Sequence, residues 1–214
     1  MSWVLRLLLF LWSSAGLAHP VTFTGGIAAS SVHRPAMTHS QVNYTLHRNL
    51  AVGVTHLRYR YLETPLEGSL GQVNALLYRR NRSHSQGNLY LSIGAGAQHD
   101  GVEVDGPLFL GGLQADFETD NFYSAIMGTA VGDSQDLQDL SGLTTSLRGR
   151  VGVLPFSSGF DSLQAWAVVQ VDYLAQHPDP LSVTPLMRFF YRNVLWEFGA
   201  SMDGHPWLQL MVHL

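Results

Sequence analysis

The feature that most constrains this chain is a strict alternation of apolar and polar residues, clearest in residues 88–98, NLYLSIGAGAQ. Leu89 and Leu91 lie on one face of an extended strand and Tyr90 and Ser92 on the other, because successive strand side chains point to opposite faces. A period of two predicts a β-strand with one apolar and one polar face. Related patterns recur to the end of the chain, which predicts an all-β fold.

The alternation predicts about 12 strands, with 10 also possible, in a closed antiparallel transmembrane β-barrel. Most segments are close to the ~9–11 residues that cross a bilayer when tilted. The predicted strands are residues 21–29, 41–46, 51–61, 72–79, 88–98, 108–118, 122–131, 143–153, 163–173, 183–191, 194–202 and 207–214. The connections alternate between short turns and longer polar loops such as 31–36, 63–71 and 99–107, the asymmetry expected between the two ends of such a barrel.

The first 18 residues predict a secretory signal peptide rather than structure. Arg6 supplies the positive start, residues 7–12 an apolar core, and Gly16 and Ala18 the small residues that precede cleavage. Cleavage after Ala18 leaves one predicted domain, residues 19–214.

Composition supports a membrane barrel over its rival, a soluble periplasmic β-barrel or sandwich with an apolar interior. Charged residues make up 13% of the chain, well below the usual ~25% of soluble domains. The chain has no lysine and no cysteine, so it lacks the lysine-rich surface of a soluble sheet and has no thiolate chemistry. A net charge of −4 does not suggest a nucleic-acid partner.

With its leader, alternating strands and a terminal amphipathic strand at 207–214, the chain resembles small outer-membrane β-barrel proteins of Gram-negative bacteria. The resemblance implies export through the inner membrane, insertion by the barrel assembly machinery, and outer-membrane lipid and lipopolysaccharide as partners. Such proteins usually end in Phe or Trp, whereas this chain ends in Leu214.

Charged residues on the polar faces of the strands predict a network inside the barrel. They comprise Arg58, Arg60, Arg148, Arg150, Arg188, Asp116, Glu118, Asp172 and Glu197. One hypothesis is a pore lining that passes small polar solutes or metal ions. The alternative is a salt-bridge network that fills a non-conducting structural or surface-binding barrel.

Histidine is frequent, with ten residues, and four of these fall in predicted loops of one end. These are His33, His99, His177 and His205. Imidazoles with nearby carboxylates can bind Cu, Zn or Ni, but no pair has ligand spacing within one element, and loop histidines are commonly solvated. We therefore expect no resident cofactor beyond a possible metal site assembled from several loops.

An outer-membrane enzyme is the less favoured alternative, because no motif predicts catalysis. The chain contains neither GxSxG nor HExxH. Ser83 and Ser85 flank His84, and Thr38 and Ser40 flank His39, but neighbouring residues of a strand point to opposite faces and cannot form a nucleophile–base pair.

Overall fold

The computed structural model describes residues 19–62, 65–100, 103–134, 136, 143–155 and 162–214, so the predicted signal peptide lies outside the described residues. The described chain forms a closed antiparallel barrel of 12 strands. Each strand pairs with its neighbours in sequence, and β1 pairs with β12 to close the barrel. The predicted fold class and strand number are confirmed. Within the described residues, no helix is long and apolar enough to cross a membrane.

The strand bounds are as follows: β1 (Ile27–Arg34), β2 (Met37–His47), β3 (Leu50–Tyr59), β4 (Leu66–Arg82), β5 (Ser85–Asp100), β6 (Glu103–Thr119), β7 (Phe122–Gly132), β8 (Thr144–Val153), β9 (Gln164–Leu174), β10 (Leu181–Tyr191), β11 (Val194–Ala200) and β12 (Pro206–His213). The tight hairpin predicted at Arg192 and Asn193 is present, and Arg192 has a φ of 54°, the left-handed conformation of a two-residue turn.

The first strand begins later than predicted, at Ile27 instead of residue 21. Val21 is fully buried inside the barrel with Ala51, Leu76 and Tyr90. The apolar residues at the start of the chain therefore belong to two parts of the structure. Val21 holds an irregular segment inside the barrel, and β1 begins only at Ile27. The wall closes just after this segment, where the backbones of Ile27 and Leu214 exchange two hydrogen bonds of 2.8 Å.

The two ends of the barrel differ in their connections. We call the end that holds the start of β1 and the finish of β12 the terminal end, and the opposite end the loop end. Three connections predicted as loops at the loop end are shorter than expected, because β1, β4, β5 and β6 extend into them. β4, β5 and β6 reach 17, 16 and 17 residues, and β1 and β2 are joined by only Pro35 and Ala36.

The outer face of the barrel is apolar. Ile93, Val169 and Leu210 point outward from mid-strand and are at least half exposed. Val171 lies on the same face of its strand as Val169, and Leu89 and Leu91 lie on that of Ile93. An apolar exterior around an interior that buries many polar and charged side chains is the arrangement of a barrel in lipid and differs from a soluble barrel, whose outer face is polar.

The interior also contains apolar clusters. The largest packs against the walls of β2 to β7 and comprises Met37, Leu57, Tyr59, Leu66, Leu70, Leu108, Leu110 and Val131. Because Leu57 and Tyr59 point inward, the residues that alternate with them on β3 must point outward. This rule decides where the predicted arginines of β3 lie.

Candidate functional site

Two arginines share one carboxylate in the lumen. Arg148 donates from Nε to Asp172 Oδ1 at 2.8 Å, and Arg34 NH1 lies 3.4 Å from Asp172 Oδ2. Gln170 donates to the same Oδ2 at 2.6 Å. The Trp207 ring lies against both guanidinium groups, with centroid distances of 4.5 Å to Arg148 and 5.7 Å to Arg34. We call these five residues the Asp172 cluster.

Strand register and barrel closure build this cluster. Arg148 lies directly opposite Asp172 on the neighbouring strands β8 and β9. Arg34 comes from β1, and three strands separate β1 from β9 around the wall, so its contact with Asp172 spans the lumen. Only a closed barrel brings these two residues together.

A second carboxylate also serves two arginines. Glu197 accepts hydrogen bonds from Arg150 NH2 at 2.5 Å and from Arg188 Nε at 2.6 Å. The Arg188 guanidinium lies 4.3 Å from the centroid of the Tyr123 ring. We call these four residues the Glu197 cluster. Because Arg148 and Arg150 are two residues apart on β8, they point to the same face and hold the two clusters side by side.

The wall formed by β2 to β5 presents amides and hydroxyls instead of charges. Gln72 is central: its Nε2 donates to Gln41 Oε1 at 3.0 Å and to Asn43 Oδ1 at 2.8 Å, while its Oε1 accepts from Thr55. Asn74 donates to the same Asn43 oxygen at 2.9 Å. These mutual bonds satisfy buried polar groups and fix their orientation.

A cavity of about 110 Å³ lies in the lumen between the charged wall and the amide wall. Arg148, Arg150, His39, Gln72 and Gln114 are among its lining residues. A cavity of this size is several times larger than the ~10–15 Å³ that one water needs. Its lining is polar enough to hold water or a small solute.

A second cavity, of about 370 Å³, opens at the loop end. Arg34 and Trp207 line this loop-end cavity, whereas Arg148 lines the central one. The Asp172 cluster therefore separates the two cavities. Tyr61 also lines the loop-end cavity, where its ring lies 4.9 Å from that of His177 and burial raises its pKa to about 12.

The segment before β1 occupies the lumen at the terminal end. His19 is buried and bonds through Nδ1 to the Tyr90 hydroxyl. Pro20 lines the central cavity, and Val21 is fully buried. Burial lowers the pKa of His19 to about 3, with smaller contributions from the charges of Arg79, His213 and Arg188. The imidazole is therefore neutral, and its tautomer sets whether Nδ1 or the Tyr90 hydroxyl donates in this bond.

Five of the nine residues predicted for the network meet in the two clusters: Arg148, Arg150, Arg188, Asp172 and Glu197. Asp116 is buried on the inner face but accepts hydrogen bonds from Asn88 at 2.6 Å and Gln114 at 3.4 Å instead of pairing with a predicted arginine. Glu118 follows two residues later on that face of β6.

The expectation that Arg58 and Arg60 point into the lumen is wrong. Arg58 lies on the outer face of β3, where its Nε is 3.0 Å from Glu67 Oε2. Arg60 follows the end of β3 and is exposed at the loop end, where it donates to Thr38 Oγ1 at 2.9 Å and borders the loop-end cavity instead of the lumen interior. The apolar set of β3 fills the interior, so the charged set of the same strand is left outside.

The structure does not bring the four predicted metal-binding histidines together. His33 is on the outer face of β1 with its Nε2 2.8 Å from Ser31 Oγ, and His99 lies near the tip of the β5–β6 hairpin. His177 and His205 line the loop-end cavity, where His177 Nδ1 bonds to the backbone of Asp179. Among the described residues, no three His, Asp or Glu side chains form a group that could hold a metal ion.

Sequence reasoning missed Arg34, Trp207 and Tyr123. Arg34 was assigned to a loop because the first strand was placed six residues too early. With β1 at its observed position, alternation from the buried Ala28 and Val32 would have put Arg34 on the inner face. The two aromatic residues give no such signal, since aromatic side chains are common on both faces of a barrel wall.

Comparisons with known proteins identify neighbours in fold alone. No family model and no curated protein matches the chain. Two solved structures have a TM-score of 0.49, each covering 88% of this chain and 97% of the other. One is a KdgM porin at 9% identity, and the other is a KdgM porin in complex with disordered oligogalacturonate at 10% identity. None of these comparisons assigns the chain to a family.

Proposed function

We propose that this chain is an outer-membrane channel with a narrow polar lumen for small polar solutes. The observation that carries the proposal is the central cavity, into which Arg148, Arg150 and several amide side chains project between apolar residues, enclosed by a barrel whose outer face is apolar. A barrel that served only as a lipid-embedded scaffold would gain stability from a tightly packed interior. Here open space remains in the lumen, bordered by charged and amide side chains together with apolar ones.

The proposed path runs from the loop-end cavity, past the Asp172 cluster, to the central cavity. The Asp172 cluster is the first narrow point and selects by charge and size. The second narrow point is the segment 19–22 at the terminal end. Pro20 of this segment borders the central cavity, and Val21 is packed in the interior next to Pro20. Solute passage requires small movements of side chains at the first point and displacement of the segment at the second.

The orientation that fits this proposal places the loop end outside the cell and the terminal end in the periplasm of a Gram-negative bacterium. Outer-membrane lipid then surrounds the apolar belt, and lipopolysaccharide surrounds the exposed side chains near Arg58 at the loop end. Both this location and insertion by the barrel assembly machinery belong to the proposal.

A non-conducting barrel is the second candidate, and one observation favours it. The buried segment 19–22 and the interior apolar clusters occupy much of the lumen. In that case the exposed loop-end side chains would be the functional surface.

Single-channel recording on the refolded protein in planar bilayers distinguishes the channel from the non-conducting barrel. A channel gives discrete current steps that become larger when residues 19–22 are deleted. Absence of steps from both the full chain and the deletion variant, while each still migrates as a folded heat-modifiable barrel, would contradict the channel and leave the second candidate.

A further inference from the structure

The two clusters carry more positive than negative charge. Arg34 and Arg148 share Asp172, and Arg150 and Arg188 share Glu197. Four guanidinium groups thus meet two carboxylates, a surplus of two positive charges. Arginine stays protonated in proteins, so proton loss cannot remove this surplus. Charges withdrawn from bulk water are costly unless an opposite charge or water compensates them.

The surplus charge borders the central cavity. Arg148 and Arg150, one from each cluster, both line it. Arg150 is more than nine-tenths buried, and its Nε has no hydrogen-bond partner among the described residues. The Nε2 of His39, which also lines the cavity, is buried and equally lacks a partner among them. This nitrogen donates a hydrogen bond when it carries the proton.

Amide side chains also border the cavity, beside apolar residues such as Val32, Leu110 and Met127. Gln72, Gln114 and Gln209 border the same cavity from β4, β6 and β12. The Gln72 amide already donates to Gln41 and Asn43, so the donors available to a solute are the Gln114 and Gln209 amides and the guanidinium groups. Guanidinium groups bind oxyanions through charge-assisted bonds that are about twice as strong as neutral ones. No carboxylate is among the residues that border this cavity within the described chain.

We infer that the central cavity is a binding site for a small oxyanion, of the size and charge of phosphate or sulfate. The anion would lie between Arg148 and Arg150 and compensate the surplus charge of both clusters. This inference deepens the proposed channel function by naming its solute class, and its physiological meaning rests on that function. The binding itself is measurable without any current.

The two clusters allow a test that preserves their ion pairs. Arg148→Gln leaves Arg34 with Asp172, and Arg150→Gln leaves Arg188 with Glu197. Each substitution removes one surplus charge and one anion ligand but leaves no carboxylate without a cationic partner. The matched control is Arg80→Gln, which makes the same charge change at an exposed residue near the β4–β5 turn.

The experiment titrates phosphate, sulfate, acetate and chloride at constant ionic strength into the refolded full chain in detergent and records its unfolding temperature. We expect a saturable rise with phosphate and sulfate that chloride does not reproduce. A rise with acetate equal to that with phosphate would overturn the assignment to a tetrahedral oxyanion and indicate a carboxylate site. In Arg148→Gln and in Arg150→Gln, half-saturation should need at least about tenfold more phosphate, whereas Arg80→Gln should match the parent.

Equal stabilisation by phosphate and chloride, or an unchanged phosphate response in both lumen variants, would overturn the inference. The outcome is separate from that of the channel test. Phosphate binding without current steps contradicts the channel and leaves the site, whereas current steps with no phosphate response contradict the site and leave the channel. A single substitution that prevents folding is replaced by Arg→Lys at the same position, which keeps the charge but loses the bidentate geometry and should still weaken phosphate binding.

Discussion

Arg188 lies directly opposite Glu197 across the β10–β11 strand pair, and its Nε donates to Glu197 Oε1 at 2.6 Å. Glu197 has no exposed surface, and its second oxygen accepts from Arg150, which lies on β8. One carboxylate therefore ties three strands of the wall together in the interior. Glu197 is therefore the counter-charge of both Arg150 and Arg188.

Replacing Glu197 with Gln should destabilise the barrel strongly. The change leaves Arg150 and Arg188 buried without a counter-charge, and loss of one partner from a buried ion pair costs roughly 3–5 kcal/mol. The measurement is the free energy of unfolding in urea from lipid vesicles. Glu67→Gln is the control, because its pair with Arg58 is partly exposed on the outer face and should contribute at most about 1 kcal/mol. Equal losses in the two variants would contradict the role of the Glu197 cluster.

Replacing Trp207 with Ala should increase single-channel conductance. The ring lies against Arg34 and Arg148 at the boundary between the two cavities, so its removal joins them. Trp196→Ala makes the same chemical change on the outer face, where the ring stacks on Phe189, and should leave conductance unchanged. If the two variants conduct alike, the Asp172 cluster does not form the narrow point of the path.

Acidification should release the segment 19–22 from the lumen. Because burial lowers the pKa of His19 from its ordinary 6.5 to about 3, the bound segment favours the neutral imidazole. His19 stabilises the position of the segment in the lumen fully above pH 6.5, and this stabilisation is lost progressively as the pH falls from 6.5 towards 3. Conductance should therefore rise over this range, and the protection factors of the segment's amides, which are exchange rates normalised to the intrinsic rate at each pH, should fall.

His19→Asn is the control for this pH dependence. The variant keeps every other titratable group, including Tyr90, Arg79 and His213 around the site, so the difference between the two proteins isolates the imidazole. The variant should show a weaker dependence between pH 6.5 and 3. The same pH dependence in both proteins would assign the effect to another group.

An arginine at Val169 should impair insertion into lipid. Val169 points outward from the middle of β9, and an arginine near the bilayer midplane of a barrel costs roughly 2–4 kcal/mol. Leu181→Arg, at the loop-end start of β10, should cost at most about 1 kcal/mol. The folded fraction in vesicles of phosphatidylcholine measures both. A larger loss for Leu181→Arg would place the membrane belt elsewhere on the barrel.

Local alternation determined the strands of this protein and which residues share a face. Arg148 and Arg150 were predicted on one face, and their distance of two residues along β8 guarantees this in any sheet. The same reasoning predicted Asp172 and Glu197 on the faces opposite Val169 and Val171 of β9 and Phe198 of β11, which point to lipid. Strand number and hairpin positions followed from the same period.

Only the tertiary structure decided which face is inside and which distant residues meet. Alternation does not distinguish an apolar set that faces lipid, such as that of Val169, from one that fills the lumen, such as Leu57 and Tyr59, because both are removed from water. For this reason Arg58 lies outside. The contact of Arg34 with Asp172 depends on barrel closure, which brings together residues far apart in sequence.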